Sequence, residues 1–291
     1  MMMDGLVHPG VHNGPSSART GGLARNRVRA AAEIVAVAGL GRATRLPVLS
    51  SQVPLVLRRT PDAVYVVGGA AGPIGGDELG LQISVGAGAF LRVRTAAASI
   101  ALPGPDGLES AMRVTVDVAP GARLEYLPEP VVVSAGARHA TIIRVTLADG
   151  ASLLLRDELL LGRHGEAGGT GKSVLHVTYA GRPLLRQSLE VSGADPASLG
   201  PAALAGHRAV GTLLRVDPTS DARPAGPAAG LGTDDLAGAA PEVSADAPPD
   251  PDVAVAVMPL AGPGILVTAL ANDAVTLRRR LSATPSTGTS T

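Results

Sequence analysis

Short apolar runs alternate with polar positions along most of this chain, and glycine, proline, aspartate or asparagine separates one run from the next. In Leu81-Gln-Ile-Ser-Val85 the apolar residues fall at every second position, so they lie on one face of an extended strand. Runs of this length and spacing predict a protein built mainly of strands. The predicted strands between residues 21 and 216 cover 30–38, 53–57, 64–67, 79–85, 90–94, 112–118, 123–127, 142–147, 152–155, 173–179 and 184–191.

One phrase recurs between predicted strands, as Val85-Gly-Ala-Gly-Ala89, Val118-Ala-Pro-Gly-Ala122 and Leu147-Ala-Asp-Gly-Ala151. Each copy contains a glycine, which readily adopts the positive φ that a tight turn needs. The copies lie about 30 residues apart, and repetition at such a period indicates stacked layers. We therefore predict a mainly β fold: a single domain of stacked strands, similar to a β-helix, with a few short helices near its C-terminal part.

Two segments predict helices. Residues 196–209 are the best internal candidate, because Ala and Leu recur there at helical spacing, and we expect this helix to be short. Residues 273–281 predict a helix near the C terminus, with Asn272 placed to cap its start. Arginines 278 to 280 fall in its last turn, where positive charge is favourable.

Composition divides the chain into five segments. Residues 1–20 are polar and predict a disordered tail, whereas residues 21–216 form the main β domain. Residues 217–252 are rich in Pro, Gly, Ala and Asp and bury too little apolar surface to offset the entropy of ordering, so we predict a disordered insertion. Residues 253–281 predict a strand–strand–helix segment that packs on the main domain, and residues 282–291 predict a second tail.

Charge and composition exclude several classes of function. The 25 Lys and Arg residues balance 25 Asp and Glu, so an electrostatic surface for nucleic acid is not expected. One Phe, three Tyr and no Trp leave almost no aromatic platform for stacking bases. The lack of cysteine excludes disulfides, zinc–thiolate sites and thiol catalysis. We find neither a secretory signal nor a membrane-spanning apolar run, and expect a cytoplasmic protein with no membrane partner.

Two motifs that bear on chemistry are set aside. Gly168-Gly-Thr-Gly-Lys-Ser173 resembles part of a phosphate-binding loop, but Glu166 stands where that loop needs its first glycine. The residues that follow alternate as a strand and do not open a helix, so we interpret the motif as a turn. His8 and His12 have a spacing that suits a metal on a helix, but Pro9 argues against a helix there. No Gly-x-Ser-x-Gly elbow of a hydrolase is present.

Acidic residues on glycine- or proline-containing turns are the main candidates for function. Asp77 and Glu78 follow two glycines in Gly72-Pro-Ile-Gly-Gly-Asp-Glu-Leu79, and Glu166 ends Leu161-Gly-Arg-His-Gly-Glu166. Their oxygens suit a divalent ion that is held weakly, whereas a solvated turn is an equally valid interpretation of the first motif. Arg163 is equally able to form a structural ion pair with a carboxylate. Glu129 lies between two prolines that present it in a defined place or simply end a strand.

Taken in order, these motifs resemble the urease accessory protein D family, called UreD or UreH. The resemblance covers residues 21–216 and 253–281. It is carried by Pro54-Leu55, Gly72-Pro-Ile-Gly-Gly-Asp-Glu-Leu79, Val118-Ala-Pro-Gly-Ala122, Leu127-Pro-Glu-Pro130, Leu161-Gly-Arg163 with Gly165-Glu166, the stretch Gly264 to Leu270, and Leu277-Arg278. This chain departs from the family at Pro73, where a glycine is usual, and in the extra segment 217–252.

The resemblance implies a scaffold without catalysis of its own and without a permanently bound cofactor. It implies binding to the urease apoprotein and to the accessory proteins UreF and UreG, the latter a GTPase that carries nickel. It also implies a transient passage of Ni²⁺ along polar and acidic groups. Asp77, Glu78 and Glu166 are the candidates for that passage, and Glu129 is a weaker one. Arg163 is a further site residue outside the passage. The alternatives are a stand-alone β-rich hydrolase or sugar-binding module, and a scaffold that never contacts nickel.

Overall fold

The computed structural model describes residues 27–41, 43–219 and 254–282. The first half of the chain forms strands β1 (Arg29–Ala38), β2 (Thr44–Ser51), β3 (Leu55–Arg59), β4 (Val64–Gly68), β5 (Glu78–Val85), β6 (Phe90–Thr95), β7 (Ser99–Ala101), β8 (Ser110–Val118), β9 (Arg123–Leu127) and β10 (Val131–Val133). The second half forms β11 (Arg138–Leu147), β12 (Ser152–Leu161), β13 (Thr170–Tyr179), β14 (Arg182–Ser192), α1 (Pro196–Leu199), β15 (Ala209–Val216), β16 (Ala254–Pro259), β17 (Gly264–Ala271) and α2 (Ala274–Ser282).

The strands form two sheets that face one another. Sheet A has the order β14-β13-β11-β8-β5-β1-β2, and sheet B has the order β16-β17-β15-β12-β9-β6-β4-β3. In sheet B, β10 also pairs with β12, and β7 pairs with β10. Successive strands β5, β8, β11 and β13 pair in parallel in sheet A, while β6, β9 and β12 pair in parallel in sheet B. The chain therefore coils between the sheets, and the predicted stack of β layers is confirmed.

The recurring glycine phrase makes the turn that carries each coil from sheet A to sheet B. Gly121 in the second copy has a φ of 66°, a value that strongly favours glycine. Each turn rests on the one before: the backbone N–H of Ala119 donates to Val85, and that of Ala148 donates to Val118. The period of about 30 residues is thus one coil, as the repetition predicted.

Apolar side chains fill the space between the two sheets. The main core consists of Ala, Val, Leu and Ile, with Tyr126 as its only aromatic residue among those described. The alternation read from the sequence decides which side chains point inward: in β5, residues 79, 81, 83 and 85 are all buried. Burial of this apolar surface is the dominant stabilising contribution to such a fold.

The helices differ from the sequence prediction in two details. Of residues 196–209, α1 covers only Pro196–Leu199, because Gly200 and Pro201 end it and β15 begins at Ala209. The predicted cap Asn272 is corrected to Asp273, whose carboxylate accepts the backbone N–H groups of Val275 and Thr276. The sequence pattern did not predict β2, β7, β10 and β15 or the second half of β12, and it placed the start of β11 four residues too late.

The C-terminal segment extends sheet B. Strand β17 pairs antiparallel with β15, and β16 is the edge strand beyond it. Helix α2 then covers the outer face of β15 and β17 with Leu277 and Leu281, which are buried. Gly211 permits this close approach, because a Cβ there would lie 2.7 Å from Leu281 Cδ1. Neither helix of the described residues is long and apolar enough to cross a membrane. The predicted tail 1–20, with His8 and His12, lies outside the described residues, as do residues 220–252 of the predicted insertion. The predicted tail 282–291 lies outside them from residue 283 on, because Ser282 is the last residue of α2.

Candidate functional site

Asp77 closes the turn that enters β5. The backbone N–H groups of Val28 and Ile74 donate to its two carboxylate oxygens, at 3.0 and 2.9 Å. Its own backbone N–H donates to the carbonyl of Ile74 at 2.9 Å, so the side chain is buried and both of its oxygens are engaged. The carboxylate is therefore an acceptor that stabilises the turn and the start of β1.

The glycines before Asp77 allow two coils of the chain to touch. A Cβ on Gly75 would lie 2.5 Å from the backbone nitrogen of Gly104, and a Cβ on Gly104 would lie 2.4 Å from the carbonyl oxygen of Gly75. Real side chains do not approach so closely, so both positions require glycine. Gly75 thus has a packing reason that is independent of any ligand.

Glu78 is the exposed member of the acidic pair. Its side chain is 54 % exposed, and it forms an ion pair of 3.6 Å with the guanidinium of Arg29. A contact of this length between solvated side chains contributes little to stability. Glu78 therefore presents an available carboxylate beside the buried turn.

Glu166 is held inside its own loop by Arg163. The guanidinium Nε of Arg163 donates to the Glu166 carboxylate at 2.7 Å, and the backbone N–H groups of Arg163 and Ala135 donate to it at 3.0 and 3.1 Å. These donors stabilise the charged carboxylate and lower the pKa of Glu166 to about 2, and the Arg163 side chain has the largest effect. The structural pairing that the sequence left open is present. His164, the other side chain of this motif, is exposed.

Arg208 fixes the same loop from the opposite side. Its guanidinium donates to the carbonyls of Leu161, Arg163 and Glu166, at 2.8, 2.7 and 3.0 Å. The sequence does not reveal this role, because nothing near Arg208 in the chain indicates a partner more than 40 residues away. The loop is therefore a rigid unit closed by two arginines.

Asp77 and Glu166 lie at the same end of the coils but on different coils. Asp77 leads into β5 and Glu166 precedes β13, which are separated in sheet A by β8 and β11. Three strand spacings correspond to about 14 Å, which is too far for two carboxylates to share one ion. Within the three described ranges, no group of three or more His, Asp or Glu side chains is arranged to hold a metal.

Glu129 belongs to an ion-pair network on the outer face of sheet B. Arg278 of α2 donates to both oxygens of Glu129, at 3.0 and 2.8 Å, and to Glu158 at 2.8 Å. Arg156 lies 3.4 Å from Glu158 and 3.7 Å from Glu129. The side chain of Glu158 is fully buried, so these guanidiniums provide its charge compensation. The network ties the C-terminal helix to β12 and to the loop between β9 and β10.

The sequence of β12 contains a signal for this network. Arg156-Asp157-Glu158 interrupts the apolar run Leu153-Leu-Leu155 and Leu159-Leu-Leu161 with no turn residue between them. Three charges inside one strand indicate buried or paired groups, because an unpaired charge there is very costly. Two of the three, Arg156 and Glu158, join the network described above.

Asp157 points the other way, into the space between the sheets. Ser173 of β13 donates its hydroxyl to the Asp157 carboxylate, which joins sheet B to sheet A. Burial raises the pKa of Asp157, and the Ser173 hydroxyl opposes part of that shift. His139 lies on sheet A beside β13, and burial lowers its pKa to about 4 while Ser110 Oγ lies 2.9 Å from its Nδ1. A polar layer therefore crosses the otherwise apolar interior.

The glycine-rich stretch before Ser173 makes no phosphate cradle. It enters β13 directly, and a Cβ on Gly168 or Gly169 would collide with the backbone of Leu161 or Ala137 at 2.8 and 2.3 Å. The glycines serve close contact between neighbouring coils. Because Thr170 to Ser173 already belong to β13, the interpretation of this motif as a turn is wrong.

Comparison with known proteins places these features in a family. A family model described as UreD urease accessory protein matches residues 28–286. The chain is 42 % identical over 282 residues to the urease accessory protein UreD of Parafrankia sp. (strain EAN1pec), covering 88 % of each chain. It is 44 % identical over 263 residues to the urease accessory protein UreD 3 of Streptomyces griseus, covering 87 % of this chain and 94 % of that protein. The UreD of Frankia alni is 41 % identical over 308 residues, covering 92 % and 95 % of the two chains.

Proposed function

Because this chain belongs to the UreD family of urease accessory proteins, we propose that it is a scaffold in the maturation of urease. In this proposal it binds the urease apoprotein together with UreF and UreG and helps to deliver nickel to the urease active site. It performs no catalysis, acts in the cytoplasm and binds neither nucleic acid nor membranes. The match over almost the whole chain is the observation that carries the proposal.

The edge of sheet B supports a role inside a complex. All six residues of β16 are exposed, including Val255, Val257 and Met258, which are 45, 39 and 41 % exposed. Apolar residues on an exposed edge strand form a surface that promotes association with other chains. A protein that works bound to partners has a use for such a surface.

The contacts of the acids favour Glu78 as the residue that meets nickel. Asp77 and Glu166 already accept several hydrogen bonds, and a metal ion would have to displace them. The Glu78 carboxylate is exposed and only weakly held by Arg29. An oxygen ligand of this kind binds a borderline ion weakly, which suits a cargo that must be passed on.

Single variants in a cell that produces urease and its accessory proteins test this proposal. Glu78→Ala is expected to lower the nickel content and activity of urease while the accessory complex still assembles. Asp77→Ala is expected to lower both assembly and nickel content, because the turn loses its acceptor. Glu109→Ala is the matched control, since Glu109 is an exposed glutamate in the neighbouring turn.

Two results would contradict the proposal at different levels. Unchanged nickel content in urease from the Glu78→Ala strain would remove this residue from nickel transfer and favour a scaffold that does not contact the ion. Fully active urease in a strain that lacks the protein would remove the maturation role itself.

A further inference from the structure

The outer face of sheet B has two unlike halves. Helix α2 covers β15 and β17, where the outward side chains are apolar. Strands β3, β4, β6 and β9 form the other half, which we call the arginine face. Its outward side chains are mainly basic and aromatic and include Arg58, Tyr65, Phe90, Arg92, Arg94 and Arg123.

Strand register places these side chains next to one another. Arg58 pairs with Tyr65, and Tyr65 pairs with Arg94, so three neighbouring strands carry them in one row. Phe90 pairs with Arg123 in a second row, two residues along the strands from the pair Arg92 and Glu125. The face spans about 14 Å across four strands and a similar distance along them, or roughly 200 Å².

Phe90 is the only phenylalanine of the chain, and it is 40 % exposed. The guanidiniums of Arg92 and Arg123 lie over its ring, at 5.3 and 5.4 Å from the centroid. Both distances fall within the range of favourable cation–π contact. A solvent-facing aromatic ring between two guanidiniums is the type of group that dominates binding energy at protein interfaces.

Glu125 holds the two guanidiniums in place. Its carboxylate accepts Arg92 Nε at 2.6 Å and Arg123 Nη2 at 2.8 Å, and only 9 % of its side chain is exposed. The remaining N–H groups of Arg92 and Arg123 are not used in these bonds. The cluster is therefore ordered before any partner arrives, which lowers the entropy cost of binding.

The charge of the face is positive, whereas the whole chain is neutral. Arg58, Arg92, Arg94 and Arg123 contribute four positive charges, and Glu125 and the nearby Asp62 contribute two negative ones, which leaves two in excess. Among the described residues, no carboxylate lies within ion-pair distance of Arg58 or Arg94. Arg58 donates to the carbonyl of Leu57 at 3.1 Å, but guanidiniums without a carboxylate partner can take carboxylates in bidentate contacts.

We propose that the arginine face is a docking surface for an acidic surface of a partner protein, centred on Phe90 between Arg92 and Arg123. This inference rests on the proposed function, because it assigns one of the associations in urease maturation to this face. A stable interface buries about 800 Å² on each side, so the face forms the centre of a larger contact. The partner supplies carboxylates to the arginines and an apolar contact to Phe90.

Pairwise binding tests the inference with the full chain and the purified urease apoprotein, UreF and UreG. Phe90→Ser with Arg123→Glu is expected to weaken one of the associations at least tenfold. Arg58→Glu with Arg94→Glu is expected to weaken the same association, and it breaks no ion pair that holds the fold. The control is Arg113→Glu with Arg144→Glu, two exposed arginines on the outer face of sheet A, which should leave every association unchanged.

The association that involves this face should also weaken steeply between 50 and 500 mM salt, because exposed charges are screened. A circular dichroism spectrum and melting temperature like those of the unaltered chain establish that each variant is folded. If both arginine-face variants are folded and bind all three proteins within twofold of the unaltered chain, the inference is wrong, although the proposed function stands. Tight binding of a 20-nucleotide poly-uridine RNA that the same substitutions abolish, with unchanged protein binding, also overturns it. If the unaltered chain binds none of the three proteins, the proposed function itself fails.

Discussion

The ion-pair network around Glu158 makes the strongest prediction about stability. Arg278 joins α2 to sheet B by three hydrogen bonds of 2.8 to 3.0 Å to Glu129 and Glu158. Replacing it by alanine leaves Glu158, whose side chain has no exposure to water, with Arg156 alone at 3.4 Å. The substitution Arg278→Ala therefore removes the closer of the two guanidiniums that compensate the charge of the buried Glu158 carboxylate.

The size of the effect follows from the exposure of the groups. Breaking a fully buried ion pair by removing one partner costs about 3–5 kcal/mol. Arg278 is 31 % exposed and Arg156 remains, so water and the second guanidinium compensate part of the loss. We expect Arg278→Ala to lower the free energy of unfolding by about 2 kcal/mol. For a chain of this size that corresponds to a melting temperature lower by about 4–8 °C.

Thermal unfolding followed by circular dichroism measures this change, and urea denaturation gives the free energy. Arg279→Ala is the matched control, because Arg279 is the exposed neighbour on the same helix, and it should shift the melting temperature by less than about 2 °C. Equal shifts for the two variants would refute the reasoning, because the network would then carry no more stability than an exposed arginine.

Three further predictions concern the turns and the interior. The pKa of Glu166 in the folded protein, about 2, lies below its ordinary value of 4.5, so its contribution to stability is present above pH 4.5 and is lost as the pH falls towards 2. Urea denaturation should therefore show that Glu166→Gln is less stable than the unaltered chain at neutral pH and that this difference disappears at acidic pH. Burial raises the pKa of Asp157, so its charged form destabilises the fold above that pKa. Asp157→Asn should therefore raise the melting temperature at pH 7 and lose this gain at pH 3. A lower melting temperature of the variant at pH 7 would count against the raised pKa. Gly75→Ala places a Cβ within 2.5 Å of Gly104 and should lower the melting temperature by more than about 5 °C. Gly80→Ala is the control, because the nearest atom to a Cβ there lies 3.9 Å away. Similar melting temperatures for the two variants would show that the coils can separate at low cost.

Local patterns in the sequence predicted most of the architecture. Alternation marked the inward faces of strands such as β5, and the recurring glycine phrase marked the coil of the chain, because both depend on neighbours within a few residues. Strand β2 was missed because Pro47 lies inside it, and proline in a strand pattern indicates an edge or a break. Strands β7 and β10 span three residues each, too few for alternation to be recognised.

The candidate site was predicted only in part. The sequence identified Asp77, Glu78, Glu129 and Glu166 as acids on turns. The structure places Asp77, Glu78 and Glu166 at or beside a turn, and Glu129 in the link between β9 and β10. It did not indicate that Asp77 accepts backbone N–H groups or that Glu129 binds Arg278. The nickel-contact role of the acids remains a prediction. It now centres on Glu78, because the Glu78 carboxylate is exposed and only weakly paired with Arg29.

The sequence by itself determined the stacked strands, the turns between them and the relationship to UreD proteins, because these depend on local pattern and ordered motifs. Only the tertiary structure decided which charged side chains are held by hydrogen bonds or ion pairs and which are exposed to a partner. Arg278 and Glu129 are 149 residues apart, and Val28 and Asp77 are 49 apart. Such partners meet only because the coils stack in one register, and that register results from the packing of the whole core rather than from any short segment.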